Sequence, residues 1–167
     1  MKRFGILALL ILLCVACAAP GRTETAVFVD PNAVKEGAYG DLAFVANGFA
    51  FGIYDPMETV LAHTTSNGSF AEVSCAFEGE DVYYYFSGFE VMANTIDGAE
   101  RVTMINLTDD TVKTPDGLYI GMPEAEAASV LHAEPDGSIY RTVDGTAQRT
   151  VTVQDGRVAA ITYLPAE

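Results

Sequence analysis

Turn dipeptides that contain glycine constrain the fold of this chain more than any other sequence feature. They are Asn67-Gly68, Asp97-Gly98, Asp136-Gly137, Asp144-Gly145 and Asp155-Gly156. Asn-Gly and Asp-Gly tolerate the positive φ angles that the tightest β-hairpins require. Parallel strands, in contrast, need crossover connections of about a dozen residues or more. The runs between these turns are therefore predicted to form antiparallel strands.

Strand-like runs fall into two sets, each preceded by a helix signal. The predicted strands are residues 70–78, 82–87, 89–96 and 101–108, and then 139–143, 147–153 and 157–164. Asp55-Pro56-Met57-Glu58 is typical of a helix start, with Asp55 as the N-cap and Glu58 closing a capping box. This helix is predicted to end near His63 and to bury Met57, Val60 and Leu61. Gly121-Met122-Pro123-Glu124 opens a second helix that continues to Leu131.

The helix and the turn after it recur along the chain. Val60-Leu61 and Val130-Leu131 are 70 residues apart, and Asn67-Gly68 and Asp136-Gly137 are 69 apart. A shared period over several elements indicates an internal repeat. A single short unit buries little surface, so two units are expected to share one core. We therefore predict an α+β fold of two tandem helix-plus-antiparallel-meander units, residues 39–112 and 113–167.

The N-terminus has the pattern of a secretory signal. Met1-Lys2-Arg3 precedes thirteen residues without a charge, and such a helix covers only about 20 Å of a hydrocarbon core of about 30 Å. The run ends in Leu13-Cys14-Val15-Ala16-Cys17. Small residues before a cysteine predict that residues 1–16 are a lipoprotein signal peptide and that Cys17 is acylated. Ordinary secretion, with cleavage after Ala16 or Ala19, is the alternative.

Residues 17–38 lack a sustained helix or strand period and are predicted to be a flexible tether, with a possible short strand at residues 25–29. The expected location is the extracytoplasmic face of the cell membrane. The lipid bilayer is then the first expected partner, through the acyl group on Cys17.

Charge excludes one class of partner. The chain has 23 acidic and nine basic side chains, and loss of Lys2 and Arg3 with the signal peptide leaves a formal charge of −16. Nucleic acids are bound through Lys and Arg side chains that neutralise phosphates. Nucleic acid is therefore not an expected partner.

Several short motifs resemble known lipoprotein families. Gly121-Met122-Pro123-Glu124, Val130-Leu131 and Pro135-Asp136-Gly137, followed by a meander, resemble the small outer-membrane lipoproteins of the BamE (SmpA/OmlA) type. Two such units in tandem resemble the β-lactamase inhibitory protein fold. Residues 74–79 and 107–112 also resemble uncharacterised Gram-positive lipoproteins. Over about residues 45–167 the resemblance implies a two-unit fold and a general binding role.

Catalytic and metal-binding signatures are weak. His63 and His132 close the two predicted helices, where a cation suits the helix dipole. Cys75 shares a strand face with Val73 and Phe77 and is predicted to be a buried thiol. The sequence contains no Gly-x-Ser-x-Gly motif and no glycine-rich phosphate loop. We therefore predict no catalytic residue, no metal and no cofactor.

An aromatic cluster is the most informative candidate site. Tyr83, Tyr84, Tyr85 and Phe86 are consecutive in a predicted strand, so they must alternate between its two faces. Tyrosine is favoured at recognition surfaces, although exposed strands favour it as well. The prediction is a non-enzymatic module that binds an envelope or extracellular protein. The alternatives are a small-molecule or ion-binding lipoprotein and, third, a Cys- or Ser-dependent hydrolase.

Overall fold

Strands dominate residues 39–167, the part of the chain that the computed structural model describes. The predicted signal peptide, Cys17 and the tether lie outside the described residues. The first elements are β1 (Phe44–Ala46), β2 (Phe49–Phe51), α1 (Met57–His63), β3 (Gly68–Val73), β4 (Glu80–Tyr85), β5 (Phe89–Ile96) and β6 (Ala99–Leu107). They are followed by α2 (Glu124–Leu131), β7 (Ile139–Asp144), β8 (Ala147–Gln154) and β9 (Arg157–Pro165).

Seven of the strands form one antiparallel sheet in the order β3-β4-β5-β6-β9-β8-β7, and β1 and β2 form a separate hairpin. Two of the five glycine dipeptides form tight β-hairpin turns with both residues at positive φ, as the sequence predicts. Asp97 and Gly98, between β5 and β6, have φ angles of 53° and 77°. Asp155 and Gly156, between β8 and β9, have φ angles of 51° and 71°. Two consecutive positive φ angles identify type I′ hairpins in both places.

The predicted α+β class with two tandem helix-plus-meander units is wrong. The protein is mostly β, with helices of only seven and eight residues. The strands do not form two separate meanders, because β6 and β9 pair with each other and join all seven strands into one sheet. Each helix ends where the backbone leaves the helical region, at extended Thr64 after α1 and at left-handed His132 after α2.

The start of α1 differs from the prediction. Pro56 occupies the N-cap position and no side chain caps the helix. The Asp55 carboxylate instead accepts a hydrogen bond from the Gly52 N–H at 2.9 Å. Asp55 is held away from the helix because its carbonyl accepts the Val102 N–H of β6. The predicted capping box is therefore wrong, and so is the burial of Leu61, which is 37% exposed.

The β1–β2 hairpin covers the centre of the sheet. The fully buried Phe44 ring lies 5.5 Å from the Phe51 ring, 4.9 Å from the Phe89 ring of β5 and 6.0 Å from the Tyr163 ring of β9. It therefore contacts both halves of the sheet at their junction. Helix α1 packs against β6 and α2 against β9 on the same face. The core lies between this layer and the sheet, and the opposite sheet face is left uncovered by described elements.

An ion pair between buried Arg149 and solvent-accessible Asp116 attaches the segment between β6 and α2 to the sheet. The guanidinium of Arg149 in β8 donates two hydrogen bonds to the Asp116 carboxylate, at 2.9 and 2.7 Å. Arg149 is 5% exposed and also lies over the Tyr163 ring. Burial opposes ionisation of Asp116, but hydrogen bonds from Arg149 and Thr114 outweigh it and lower the Asp116 pKa below 3.8.

Replacement of Phe44 by Ala is expected to lower the free energy of unfolding by about 4 kcal/mol, since it leaves a cavity at the junction of the two half-sheets. Urea unfolding followed by circular dichroism measures this change. Val45→Ala is the matched control, because Val45 is the exposed neighbour in the same strand. Equal losses in the two variants would contradict the central role of Phe44.

Replacement of Asp116 by Asn is expected to remove a pH-dependent part of the stability. The Asp116 pKa is lower in the folded than in the unfolded chain, so its contribution is complete above the unfolded pKa of 3.8 and is lost as the pH falls through the folded pKa. Unfolding midpoints measured from pH 7 to pH 2.5 should fall less steeply for Asp116→Asn than for the wild type. Asp110→Asn, at an exposed position, should retain the wild-type slope.

Candidate interaction surface

The strand alternation divides the predicted aromatic site between two faces. Tyr84 of β4 lies opposite fully buried Val91 of β5, on the core side of the sheet. Its hydroxyl donates to Glu100 Oε2 at 2.8 Å. Burial and this carboxylate raise the pKa of Tyr84 to about 12. Phe86 is 8% exposed and stacks on Phe89, so it too belongs to the core.

Tyr83 lies on the uncovered face and belongs to a row that crosses four strands. The row consists of residues that oppose one another in register, namely Phe70 of β3, Tyr83 of β4, Met92 of β5 and Met104 of β6. Directly opposed residues share a face of an antiparallel sheet. We call these four side chains the outer row. Phe70 is 54% exposed, and Tyr85, one position further along the same face, is 41% exposed.

Sequence reasoning identified Tyr83 but missed the other members of the outer row. The signal for Met92 was present, because Phe89, Val91 and Ala93 alternate with it and are apolar. The tight Asp97-Gly98 turn also sets which residue of β6 opposes which of β5. Phe70 could not be placed, because the connection between β3 and β4, residues 74–79, is too long to define a register.

Acidic side chains surround the outer row. Glu72 of β3 lies directly opposite Asp81 of β4. Burial raises the pKa of Tyr83, and the carboxylates of Glu72 and Asp81 raise it further. Residues 68–96, which contain β3, β4 and β5, include five acidic residues and neither Lys nor Arg. The strands β3, β4 and β5 therefore present the Phe70, Tyr83 and Met92 side chains among acidic residues and without a basic one.

Hydrogen bonds of the buried Asn94 side chain connect β5 to its neighbours β4 and β6. Asn94 and Thr103 lie beside an irregularity in the β5–β6 register, and both are buried. The Asn94 amide donates to the Glu80 carbonyl at 3.2 Å and to the Asp81 carboxylate. Its carbonyl accepts the Thr103 hydroxyl. The extra residue in β6 bends that strand, and Asn94 connects the bend to β4.

The structure places Cys75 away from any core strand. Cys75 is exposed and lies in the connection after β3, which ends at Val73. The predicted burial of its thiol is therefore wrong, because the chain turns at Ser74, whose hydroxyl accepts the N–H groups of Ala76 and Phe77. The Ser74 hydroxyl thus stabilises the turn.

Both histidines are located at helix ends. The His63 ring stacks on Phe49 at 4.0 Å, and its Nδ1 lies 2.9 Å from the Thr59 carbonyl. His132 follows α2 in a left-handed conformation. Within residues 39–167, no group of three or more His, Cys, Asp or Glu side chains could hold a metal ion.

A cleft of about 330 Å³ lies beside the outer end of the β1–β2 hairpin. Its lining includes Phe86, Phe89, Thr65 and Lys113. Lys113 lies 4.5 Å from the centre of the Tyr119 ring. The tyrosines of β4 do not line this cleft.

No family model, curated protein or solved structure was found that matches this chain. The resemblance to the BamE and β-lactamase inhibitory protein types therefore stays a prediction. In the described part of the chain, no helix has the length and apolar character needed to cross a membrane.

Replacement of Asn94 by Ala is expected to lower the free energy of unfolding by about 2 kcal/mol, because the buried Thr103 hydroxyl loses its acceptor and the hydrogen bonds to β4 are lost. Chemical denaturation measures the change, and Thr95→Ala, at the adjacent exposed position, is the control. If Asn94→Ala were as stable as the control, the polar contact at the bulge would not support the sheet.

Proposed function

We propose that this protein is a membrane-anchored extracytoplasmic lipoprotein that acts as a non-enzymatic protein-binding module. The observation that carries the proposal is the outer row, four aromatic and methionine side chains on the sheet face opposite the core. Aromatic and methionine side chains are enriched in the buried centres of protein interfaces. Their position on an uncovered face supports a binding role, since no described element of the chain packs over them.

The shape of the surface favours a macromolecular partner. The outer row extends across four strands, or about 14 Å at the usual spacing of about 4.8 Å. Small ligands are generally bound in concave pockets, whereas the outer row lies on the open face of a sheet. Phe70 and Tyr85 offer exposed rings that a partner would cover.

The position at which the described chain begins is compatible with a predicted lipid anchor that leaves the outer row accessible to a partner. The described chain begins beside β7, where the Asp41 N–H donates to Asp144 Oδ2 at 2.7 Å. Strand β7 forms one edge of the sheet and β3 the other. Six strand spacings separate these edges, on the order of 29 Å in a flat sheet. A lipid on Cys17 and a tether ending at β7 would leave the β3 half of the sheet accessible.

The alternatives differ in the support they have. The small-molecule alternative is favoured by the cleft beside Lys113, whose lining also includes the apolar side chains of Phe86 and Phe89. The hydrolase alternative needs a nucleophile activated by a base. The Ser74 hydroxyl stabilises a turn and the His63 ring is held by its own helix, so neither residue supports that alternative.

Photo-crosslinking in intact cells, followed by mass spectrometry of the purified lipoprotein, tests the proposal. The test variant carries Phe70→Ser and Tyr83→Ser and keeps Tyr84, which belongs to the core. We expect one protein to be captured by the wild type and its affinity for the test variant to fall about 30-fold, as for a lost interface hot spot of about 2 kcal/mol.

The matched control carries Ile139→Ser and Val143→Ser, which remove two exposed apolar side chains from the opposite edge strand, β7. It should capture the same protein as the wild type. Equal capture by the test variant would contradict a role for the outer row. If no protein were captured, the cleft beside Lys113 would become the site to examine by ligand-induced thermal shifts.

A further inference from the structure

The outer edge of β3, which no other described strand covers, has the properties of a site for strand addition. Strand β3 forms the edge of the seven-stranded sheet, and each of its six residues is exposed. It contains neither Pro nor Lys, the residues that commonly prevent pairing at exposed edges. Val73 is 80% exposed and Phe70 is 54% exposed. Within residues 39–167, β4 is the only strand that pairs with β3.

The register shows which backbone groups of β3 face outward. Val73 opposes Glu80, and the next residue, Ser74, donates its N–H to the Gly79 carbonyl at 3.1 Å. Hydrogen-bonded and non-hydrogen-bonded pairs alternate along an antiparallel ladder. Phe70 and Glu72 therefore direct their N–H and C=O groups toward β4. The matching groups of Ser69, Ala71 and Val73 point away from the sheet.

The charges on β3 and β4 indicate which kind of segment would pair with the edge of β3. Glu72 lies opposite Asp81, and like charges at directly opposed positions of a sheet are destabilising. The strands β3, β4 and β5 contain no Lys or Arg that could compensate. A Lys or Arg on an added strand, next to Glu72, would offset this repulsion. A second copy of the chain would instead bring another acidic edge strand against the first.

We propose that the partner of this protein adds an extended basic segment to β3 and thereby lengthens the outer row by one side chain. This inference rests on the proposed protein-binding function and specifies how the partner binds. Backbone hydrogen bonds to Ser69, Ala71 and Val73 would supply affinity, as in other cases of strand addition. An apolar residue beside Phe70 and a basic residue beside Glu72 would supply specificity.

The test uses the full chain in a non-ionic detergent and three synthetic peptides. The first is acetyl-Lys-Thr-Val-Thr-Lys-Thr-amide, in which Lys and Val alternate with Thr and share one strand face. The second has Glu in place of Lys. The third is the basic peptide with methyl groups on alternate backbone nitrogens, which removes donors to the edge. Affinity is measured by fluorescence anisotropy, and amide exchange of β3 is measured by nuclear magnetic resonance.

We expect the basic peptide to bind, to bind more weakly as salt is added, and to slow exchange of the Ser69, Ala71 and Val73 amides. Ala71→Pro should weaken binding by about tenfold, which corresponds to one lost hydrogen bond of about 1.4 kcal/mol. The Ala71 N–H points away from β4, so proline at this position leaves the β3–β4 ladder intact. Ala71→Val is the control and should bind like the wild type. The methylated peptide tests the same contact if Ala71→Pro fails to fold.

Strand addition is overturned if the basic peptide does not bind, if the acidic or methylated peptide binds equally well, or if binding leaves the three amides unprotected. It is also overturned if the chain self-associates through β3, as shown by a concentration-dependent mass that Ala71→Pro abolishes. These results are separate from a failure of the proposed function. A partner that is crosslinked through Phe70 and Tyr83 and still binds Ala71→Pro would support the outer row without strand addition.

Discussion

The pairing of β6 with β9 is the interaction on which the rest of the structure depends. Ile105 opposes Tyr163 and Asn106 opposes Thr162, whose hydroxyl donates to the Asn106 side chain at 2.9 Å. This short ladder joins a four-stranded and a three-stranded half-sheet. Each half alone would leave the hydrogen-bonding edge of its last strand, β6 or β9, without a partner strand. The Phe44 ring covers the junction by packing against Phe89 on one side and Tyr163 on the other, so the two halves share a core.

The joined sheet has two unlike faces and two unlike edges. One face is covered by the β1–β2 hairpin and both helices, whereas the other carries the outer row. The β3 edge is acidic and contains no basic residue, while the β7 half contains Arg141, Arg149 and Arg157. The described chain begins beside β7. A basic partner at β3 would therefore bind the edge opposite the start of the described chain, and the charge asymmetry would help to orient an incoming partner.

Local sequence rules predicted the helix ends and two tight turns, but they predicted neither the β1–β2 hairpin nor the assembly of the strands. Helix α1 ends at His63 and α2 at Leu131 as predicted, and the Asp97-Gly98 and Asp155-Gly156 turns form the expected hairpins. The predicted cap at Asp55 is wrong because the Asp55 carbonyl accepts the Val102 N–H of β6, which holds Asp55 away from the helix. The predicted burial of Cys75 is wrong because the chain leaves β3 before reaching it. Of the four aromatic residues, the structure leaves Tyr83 and Tyr85 on the uncovered face and assigns Tyr84 and Phe86 to the core side.

The sequence by itself determined the helix ends and the Asp97-Gly98 and Asp155-Gly156 hairpin turns, because these depend on the φ preferences of a few residues. It also determined the strongly negative charge, and it predicts a lipid anchor at Cys17. The tertiary structure decided that β6 pairs with β9, that Phe70 joins Tyr83 in the outer row and that β3 is an edge strand of the sheet that residues 39–167 form. These features depend on pairing between distant residues. Such pairing is set by the free energy of burying a shared core around Phe44, which no local pattern records.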